Sequence, residues 1–416
     1  MAVARRAIRL RMYPNQAQRE QIRVSCAGVA YVWNKALEWR ESAWQMGLKL
    51  PGVYEMDRML PALKRAQPWL RECESSALKQ VLRHLDAAYR RAFSNLRAGR
   101  VVSGGRNRYG FPRYKSRKHG HGRSYRVTNN PERVRVVDEG HVRLPKLGVM
   151  RVRGHRAFEG RITGATVKEL ASGRYELVLH VECEGFRQVP TPRRDVVGVD
   201  VGSRKLAVAS DGSVCENPRA FRKHARKLAR LQRRLARKQR GSANYEKCRR
   251  QVAREHEHIA NMRRDGQHKY SHDIVRDSQA VVVESLSVRN MLRNKRIAGT
   301  LADAAMSEML RQLRYKCAWY GRDLVEAPRW FPSSKTCSVC GERNDELRSE
   351  ETWVCPVCGT CHDRDLNAAR NLEAYGRNQI ANGFATVGRD TLEPATQRVA
   401  NACGEPSGGG SGIVAA

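Results

Sequence analysis

The chain has 416 residues, and 78 Lys and Arg against 42 Asp and Glu give a formal net charge of +36. Soluble domains commonly carry net charges of magnitude about 2–8, so the first expectation is a large polyanionic partner. The 41% apolar fraction suffices for packed cores, while no run of about 18 apolar residues exists to span a membrane.

The opening MAVARRAIRLRMYPNQ lacks the apolar core of a secretory signal. Of 12 cysteines, four form two C-x-x-C pairs and the rest are scattered, which fits a reducing compartment rather than a disulfide scaffold. The expected location is cytoplasmic, in a bacterium or archaeon, nucleoid-associated when bound to DNA, with no membrane partner. The length allows two to four domains.

From Ala7 to Tyr13, Ile8, Leu10 and Met12 alternate with Arg9 and Arg11, which predicts a strand broken at Pro14-Asn15. Helical spacing follows over Gln16 to about Trp44, over Met56 to Leu70 around Pro61, and over Ser75 to Leu96. Their apolar stripes read as ordinary core. In the first turns of the third helix, Ser75, Ser76, Lys79 and Gln80 are placed to read base edges: Lys pairs with guanine and Gln with adenine in the major groove. The rival reading puts Lys79 and Gln80 on a solvated face.

Residues 99–126 are rich in Gly, Arg and Lys with interleaved aromatics, the pattern that stacking on nucleic acid and contacting its charge requires. Arg113, Tyr114, Lys115, Arg117 and Lys118 are the candidates there, against a plain solvated loop. From Tyr125 to about Val189, short alternating runs and turns predict a small antiparallel barrel, which the first strand could close.

VVGVDVGSRKLAVASDG predicts a buried strand, a tight turn and a second strand. Arg222 to Arg240 then holds ten Lys and Arg in nineteen residues, with Leu228, Leu231 and Leu235 as one narrow apolar stripe. Such a run, without acidic pairing, is costly unless an anion covers it. Arg226, Lys227, Arg230 and Arg233 are its candidate nucleic-acid contacts, on the first arm of a helical hairpin. A buried strand AVVVESLSV, a helix over Asp303–Tyr320, a strand over Asp323–Ala327 and a short helix from Leu366 to Tyr375 complete the pattern. Beyond Asn382 the Gly/Ser-rich composition predicts disorder.

Before the last helix stands CSVCGERNDELRSEETWVCPVCG. Cys337, Cys340, Cys355 and Cys358 have zinc-ribbon spacing. Four thiolates close a tetrahedral site with no open position, so one structural Zn²⁺ is expected. Cys361 and His362 are surplus to it.

Three carboxylates sit where an apolar strand or a helix start delivers them: Asp200 after VVGV, Glu284 after AVVV, and Asp365 in HDRDLNAARN. Buried acids are costly unless paired or metal-bound. Together they suggest a hard-cation site in which two Mg²⁺ act on a phosphodiester. Asp363 competes with Asp365, either as a ligand or as a helix cap.

The order strand–Asp–x–Gly, strand–Glu, zinc ribbon, HDRDLNAA resembles the RuvC-type RNase H-like nuclease domain of TnpB proteins, transposon-encoded relatives of type V CRISPR nucleases. RMYPNQAQREQI, YVWNKAL, YGFPRYKSR, LPKLG, YKCAWYGR and FPSSKTCSVCG resemble that family's landmarks in its order, over residues ~1–380. Cys361 is unusual there.

The resemblance implies a multidomain α+β chain. A wedge-like β-barrel would span 1–14 and 115–190, a helical recognition lobe 15–114, and a RuvC-like domain 191–330 and 362–380. The zinc ribbon would be inserted at 331–361, with a tail at 381–416. It implies RNA-guided, metal-dependent cleavage of double-stranded DNA next to a short adjacent motif, with a guide RNA from the transposon end and Asp200, Glu284 and Asp365 as catalytic Mg²⁺ ligands. A guide–target heteroduplex of about 20 bp carries roughly 40 phosphates, comparable with +36. A monomeric ribonucleoprotein is expected. A transposase or transposition accessory, a small CRISPR effector and a guide-loaded repressor without cleavage remain alternatives.

Overall fold

The computed structural model describes residues 3–102, 107–116, 123–129, 133–154, 157–184, 193–348 and 350–383. Arg117, Lys118 and most of the tail expected to be disordered lie outside the described residues. The chain divides into two compact units, 3–184 and 185–416, the latter with residues 1–2.

In the first unit, β1 (Val3–Met12) precedes α1 (Gln16–Gln45), α2 (Val53–Ala66), a 3-10 turn at Pro68–Arg71 and α3 (Ser75–Arg97). Asn15 explains the start of α1: its side chain accepts from Gln18 N at 2.8 Å, and Gln18 Oε1 accepts from Asn15 N at 3.0 Å. This reciprocal cap satisfies two otherwise orphaned donors. There follow β2 (Ser124–Thr128), β3 (Arg135–Asp138), β4 (His141–Leu144), β5 (Gly148–Arg153), β6 (Arg161–Glu169) and β7 (Tyr175–Glu184). The strands form one seven-stranded sheet in the order β2-β6-β7-β1-β5-β4-β3. No pairing joins the edge strands β2 and β3 among the described residues. Ile22, Leu78, Leu82 and Leu85 of the helices share a single apolar cluster with Leu10, Tyr125, Leu177 and Leu179 of the sheet.

In the second unit, β8 (Arg194–Asp200), β9 (Lys205–Ala209) and β10 (Val214–Glu216) precede the hairpin of α4 (Ala220–Ala236) and α5 (Ala243–Arg276). Then come β11 (Ser278–Glu284), α6 (Val288–Met291), α7 (Lys295–Ala304), α8 (Met306–Tyr320), β12 (Asp323–Ala327), β13 (Thr352–Val354), β14 (Cys361–Asp363) and α9 (Arg364–Ala381). The main sheet has the order β10-β9-β8-β11-β12, with β11 parallel to both its neighbours.

The helix expected over Asp303–Tyr320 is two helices. Ala305 takes a left-handed conformation, φ 53°, and Gln267 Nε2 donates to the carbonyls of Ala304 and Ala305 at the break. The final helix is longer than its apolar stripe suggested. No helix among the described residues is long and apolar enough to cross a membrane.

The two faces of the main sheet are set by alternation. Val197, Val199, Val281 and Val283 pack with α5 and α8 through Ile274, Met309 and Leu313. Val196, Ala280 and Val282 pack with Leu372 of α9. The latter face has almost no clearance, because a Cβ on Gly198 would fall 2.0 Å from the Ala369 carbonyl oxygen and 2.5 Å from Glu373 N. Gly198→Ala should therefore push α9 off β8 and cost about 1–3 kcal/mol, as overpacking does. A thermal melt measures this, and an unchanged midpoint would contradict the close backbone approach.

Candidate functional site

The Gly198 face carries the carboxylates. Val196, Gly198 and Asp200 share a side of β8, as do Ala280, Val282 and Glu284 of β11. The parallel register pairs Val282 with Gly198 and Val283 with Val199. One step further, Asp200 and Glu284 end adjacent strands on the side covered by α9. Asp365 lies in the first turn of α9, and the glycine contact seats that helix against the strands. Burial first, then the Asp365 and Glu284 charges, push the Asp200 carboxyl up to about 7, while Arg364 opposes the shift. Burial also raises Glu284. Arg364 Nη2 donates to Asp365 Oδ1 at 3.3 Å.

Asp363 is the cap. Its Oδ1 accepts from Asp365 N and Leu366 N, both at 3.0 Å, and its Oδ2 pairs with Lys205 Nζ at 2.9 Å. Each of its oxygens thus has a partner within the chain.

Cys337, Cys340, Cys355 and Cys358 bring their sulphurs within 4.8 Å of one another, the one potential metal-ligating group so gathered among the described residues. The Cys337–Cys358 and Cys340–Cys355 Sγ distances are both 3.6 Å. Four sulphurs about 2.3 Å from a central ion stand about 3.8 Å apart in a tetrahedron, so the set fits a zinc ion. His362, read from the sequence as surplus, is buried against Trp353 with Nε2 3.1 Å from Cys337 Sγ. The three carboxylates do not form so tight a group.

The basic segments resolve unequally. On α4, Arg226, Arg230 and Arg233 are exposed. Lys227, also exposed, pairs with Glu255 of α5 at 2.7 Å, and His224 meets the same carboxylate at 2.7 Å, so the run does have an acidic partner. Asp303 of α7 accepts from Phe221 N and Arg222 N, which fixes the start of α4.

In the other unit, residues 107–116 are tied to helices α1 and α3, although Tyr114 stays exposed. Phe111 packs edge-on against Phe93, and Tyr114 Oη donates to Glu41 at 2.5 Å. Lys115 Nζ sits 4.1 Å from the centre of the Trp33 ring, and burial lowers its pKa to about 8. Arg113 remains exposed, although its carbonyl accepts from Trp33 Nε1. Lys79 is exposed, and Gln80 Nε2 lies 3.0 Å from His84 Nε2.

One basic surface escaped the sequence reading. Antiparallel register places Arg11 opposite Arg153, His141 opposite Arg151, and Arg135 opposite Arg143. The guanidinium groups of Arg11, Arg153 and Arg151 stand 5.1, 5.6 and 5.9 Å from the Tyr13 ring centre. A groove of about 420 Å³ beside them is lined by Arg133, Arg135, Arg143 and Lys146. The alternation in IRLRM and in GVMRVR was its local signal.

Comparison with known proteins matches residues 177–295 to a family described as "Probable transposase", residues 307–372 to a "Cas12f1-like, TNB domain" and residues 1–49 to a "Helix-turn-helix domain". The last match falls on β1 and the single helix α1. A protein of Streptomyces pristinaespiralis named "Putative RNA-guided DNA endonuclease" is 38% identical over 412 residues, covering 96% of this chain and 98% of the relative. The chain belongs to the TnpB family. A second relative, "Putative RNA-guided DNA endonuclease InsQ" of Escherichia coli K12, is 32% identical over 94% of this chain and 98% of its own length. A solved Cas12f1–sgRNA–target DNA complex aligns at 16% identity over 89% of this chain and 99% of that one, but its TM-score of 0.32 is too low to bear on fold or function.

Proposed function

We propose that this TnpB-family chain is an RNA-guided DNA endonuclease of a transposable element, cutting double-stranded DNA next to a short adjacent motif. The observation that carries the reading is the meeting of Asp200 and Glu284, from adjacent parallel strands, with the start of α9, which carries Asp365. The names of relatives matched over 98% of their lengths support it. In this reading the seven-stranded sheet, whose edge strands are not paired with each other among the described residues, takes the place of the wedge-like barrel, α1–α3 form the recognition lobe, and the five-stranded sheet is the RuvC-like domain with the ribbon inserted.

The three carboxylates supply the hard oxygen donors that a divalent cation takes. Asp200 is crowded by two like charges, and no side chain among the described residues donates to it or to Glu284. Two Mg²⁺ held by Asp200, Glu284 and Asp365 would supply positive charge to the phosphodiester oxygens and a more acidic water. The chain's own part is to hold these side chains at the strand ends in a partly dehydrated setting. The close seating of α9 fixes Asp365 relative to the strands. The four cysteines hold one structural Zn²⁺. Arg226, Arg230 and Arg233 of one unit, and the arginine face of the other, contact phosphates of the guide RNA and target DNA.

The test is expression with the flanking element ends and sequencing of the RNA that copurifies. One RNA species crossing the element boundary is expected, and replacing its guide segment should move Mg²⁺-dependent cutting to the newly matched plasmid site. Cutting that ignores the guide, or an absence of bound RNA, overturns the reading. Joined rather than hydrolysed ends would favour strand transfer by the same carboxylates.

A further inference from the structure

The segment that delivers Asp365 also grips the cysteine site. β13 and β14 pair Trp353 with His362 and Thr352 with Asp363, and Asp363 is at once the last residue of β14 and the cap of α9. The ribbon therefore runs into the helix without a linker. From β14, His362 places Nε2 3.1 Å from Cys337 Sγ. With Cys337 as a thiolate, only the Nε2–H tautomer makes this a hydrogen bond.

From the first two turns of α9, buried Asn367 donates to the Thr336 carbonyl at 2.8 Å and accepts from Ser338 N at 2.9 Å, holding the backbone on both sides of Cys337. Asn371, one turn on, donates to the Ser333 and Thr336 carbonyls at 2.7 and 2.6 Å. Asp365 lies between Asp363 and Asn367. One metal-ligating cysteine is thus held by three side chains of the segment that carries the third carboxylate.

We propose that the cysteine site and the carboxylate site are energetically coupled through α9. His362 and Asn367 are the positioning residues, and zinc bound at the ribbon fixes the helix turn bearing Asp365. The proposal rests on the reading of Asp200, Glu284 and Asp365 as a cation site. Its physical basis is that four hydrogen bonds of the Asn367 and Asn371 amides and one bond to sulphur leave α9 little freedom to move without moving Cys337. Loss of outer partners of metal ligands typically lowers metal affinity about 10–100-fold. Coupling must also be reciprocal: whatever factor zinc adds to cation affinity at the carboxylates, the cation adds to zinc affinity.

The experiment uses the full-length protein and two metal probes. Mn²⁺ binding at the carboxylates is followed by electron paramagnetic resonance, and zinc affinity by competition with a chromogenic chelator. Asn367→Leu should weaken zinc binding about 10–100-fold and Mn²⁺ binding several-fold, as should His362→Ala. Removing zinc from the unaltered protein should weaken Mn²⁺ by the same factor by which saturating Mn²⁺ tightens zinc.

His362→Gln keeps a donor near the sulphur but loses the ring against Trp353. Recovery of Mn²⁺ affinity in that variant supports positioning through the sulphur, whereas affinity as low as in His362→Ala assigns His362 to packing and overturns its role. Circular dichroism identifies any variant that has unfolded, and the zinc-removal arm needs no substitution. Mn²⁺ affinity independent of zinc overturns the coupling. Asp365→Ala separates the two failures: if it abolishes Mn²⁺ binding while zinc removal does not weaken it, the coupling alone falls; if it leaves Mn²⁺ binding intact, the cation-site reading falls and takes the coupling with it.

Discussion

Asp200→Asn, Glu284→Gln and Asp365→Asn are each expected to lower cleavage more than about 100-fold, beyond the usual cost of losing an outer partner of a metal ligand, while guided binding of target DNA persists. The substitutions keep shape and remove charge. Asp200 is pushed up to about 7 because burial and two neighbouring carboxylates disfavour its ionised form. In metal-free protein, removing one of these charges relieves repulsion, so the melting temperature should hold or rise. That combination, lost cutting with undiminished stability, distinguishes a cation site from a structural polar cluster. Asp363→Ala should behave differently. It removes the α9 cap and the Lys205 partner, costing about 0.5–2 kcal/mol of stability, with a smaller loss of cutting than at Asp365. A cleavage time course and a thermal melt on the four variants check this. Full cutting by Asp365→Asn would reject its place in the site.

Cys337→Ser is expected to remove zinc and unfold the ribbon locally. The ribbon's apolar cluster comprises Cys337, Leu347, Trp353 and Cys355. Two of those four are themselves zinc-site cysteines, so little remains to hold residues 331–361 without metal. Structural zinc contributes an apparent ~10–16 kcal/mol in small zinc-finger peptides, far more than so small a cluster supplies. Metal analysis should give one zinc per unaltered chain and less than half an equivalent in the variant. Limited proteolysis should then cut within 331–361 first, leaving the strands packed on α5 and α8 protected. Less than half an equivalent in the unaltered protein would reject the zinc assignment.

Local pattern carried much of the fold. Period-two alternation marked β1, and helical spacing located α1 and α3 to within a residue or two of their ends. Strand-length apolar runs marked β8 and β11 and left Asp200 and Glu284 at their C-terminal ends. The paired C-x-x-C spacing marked the cysteine cluster, because all four sulphurs come from two short knuckles.

What local pattern could not decide was which faces meet. Asp363 and Asp365 are indistinguishable in the string HDRD, and only the geometry of the β14–α9 junction makes the first a cap. That the Lys115 ammonium lies over Trp33 of α1 cannot be read from YGFPRYKSR. Lys227 reads as unpaired until α5 returns Glu255 beside it. The arginine face exists because β1 joins strands that follow it by more than a hundred residues, Arg11 facing Arg153 across one pair and Glu176 across the other. Residue types and periods are local properties that a sequence displays directly. Register, ion pairing and burial depend on segments brought together by folding, and those contacts turned a list of acidic and basic residues into separate carboxylate, cysteine and arginine surfaces.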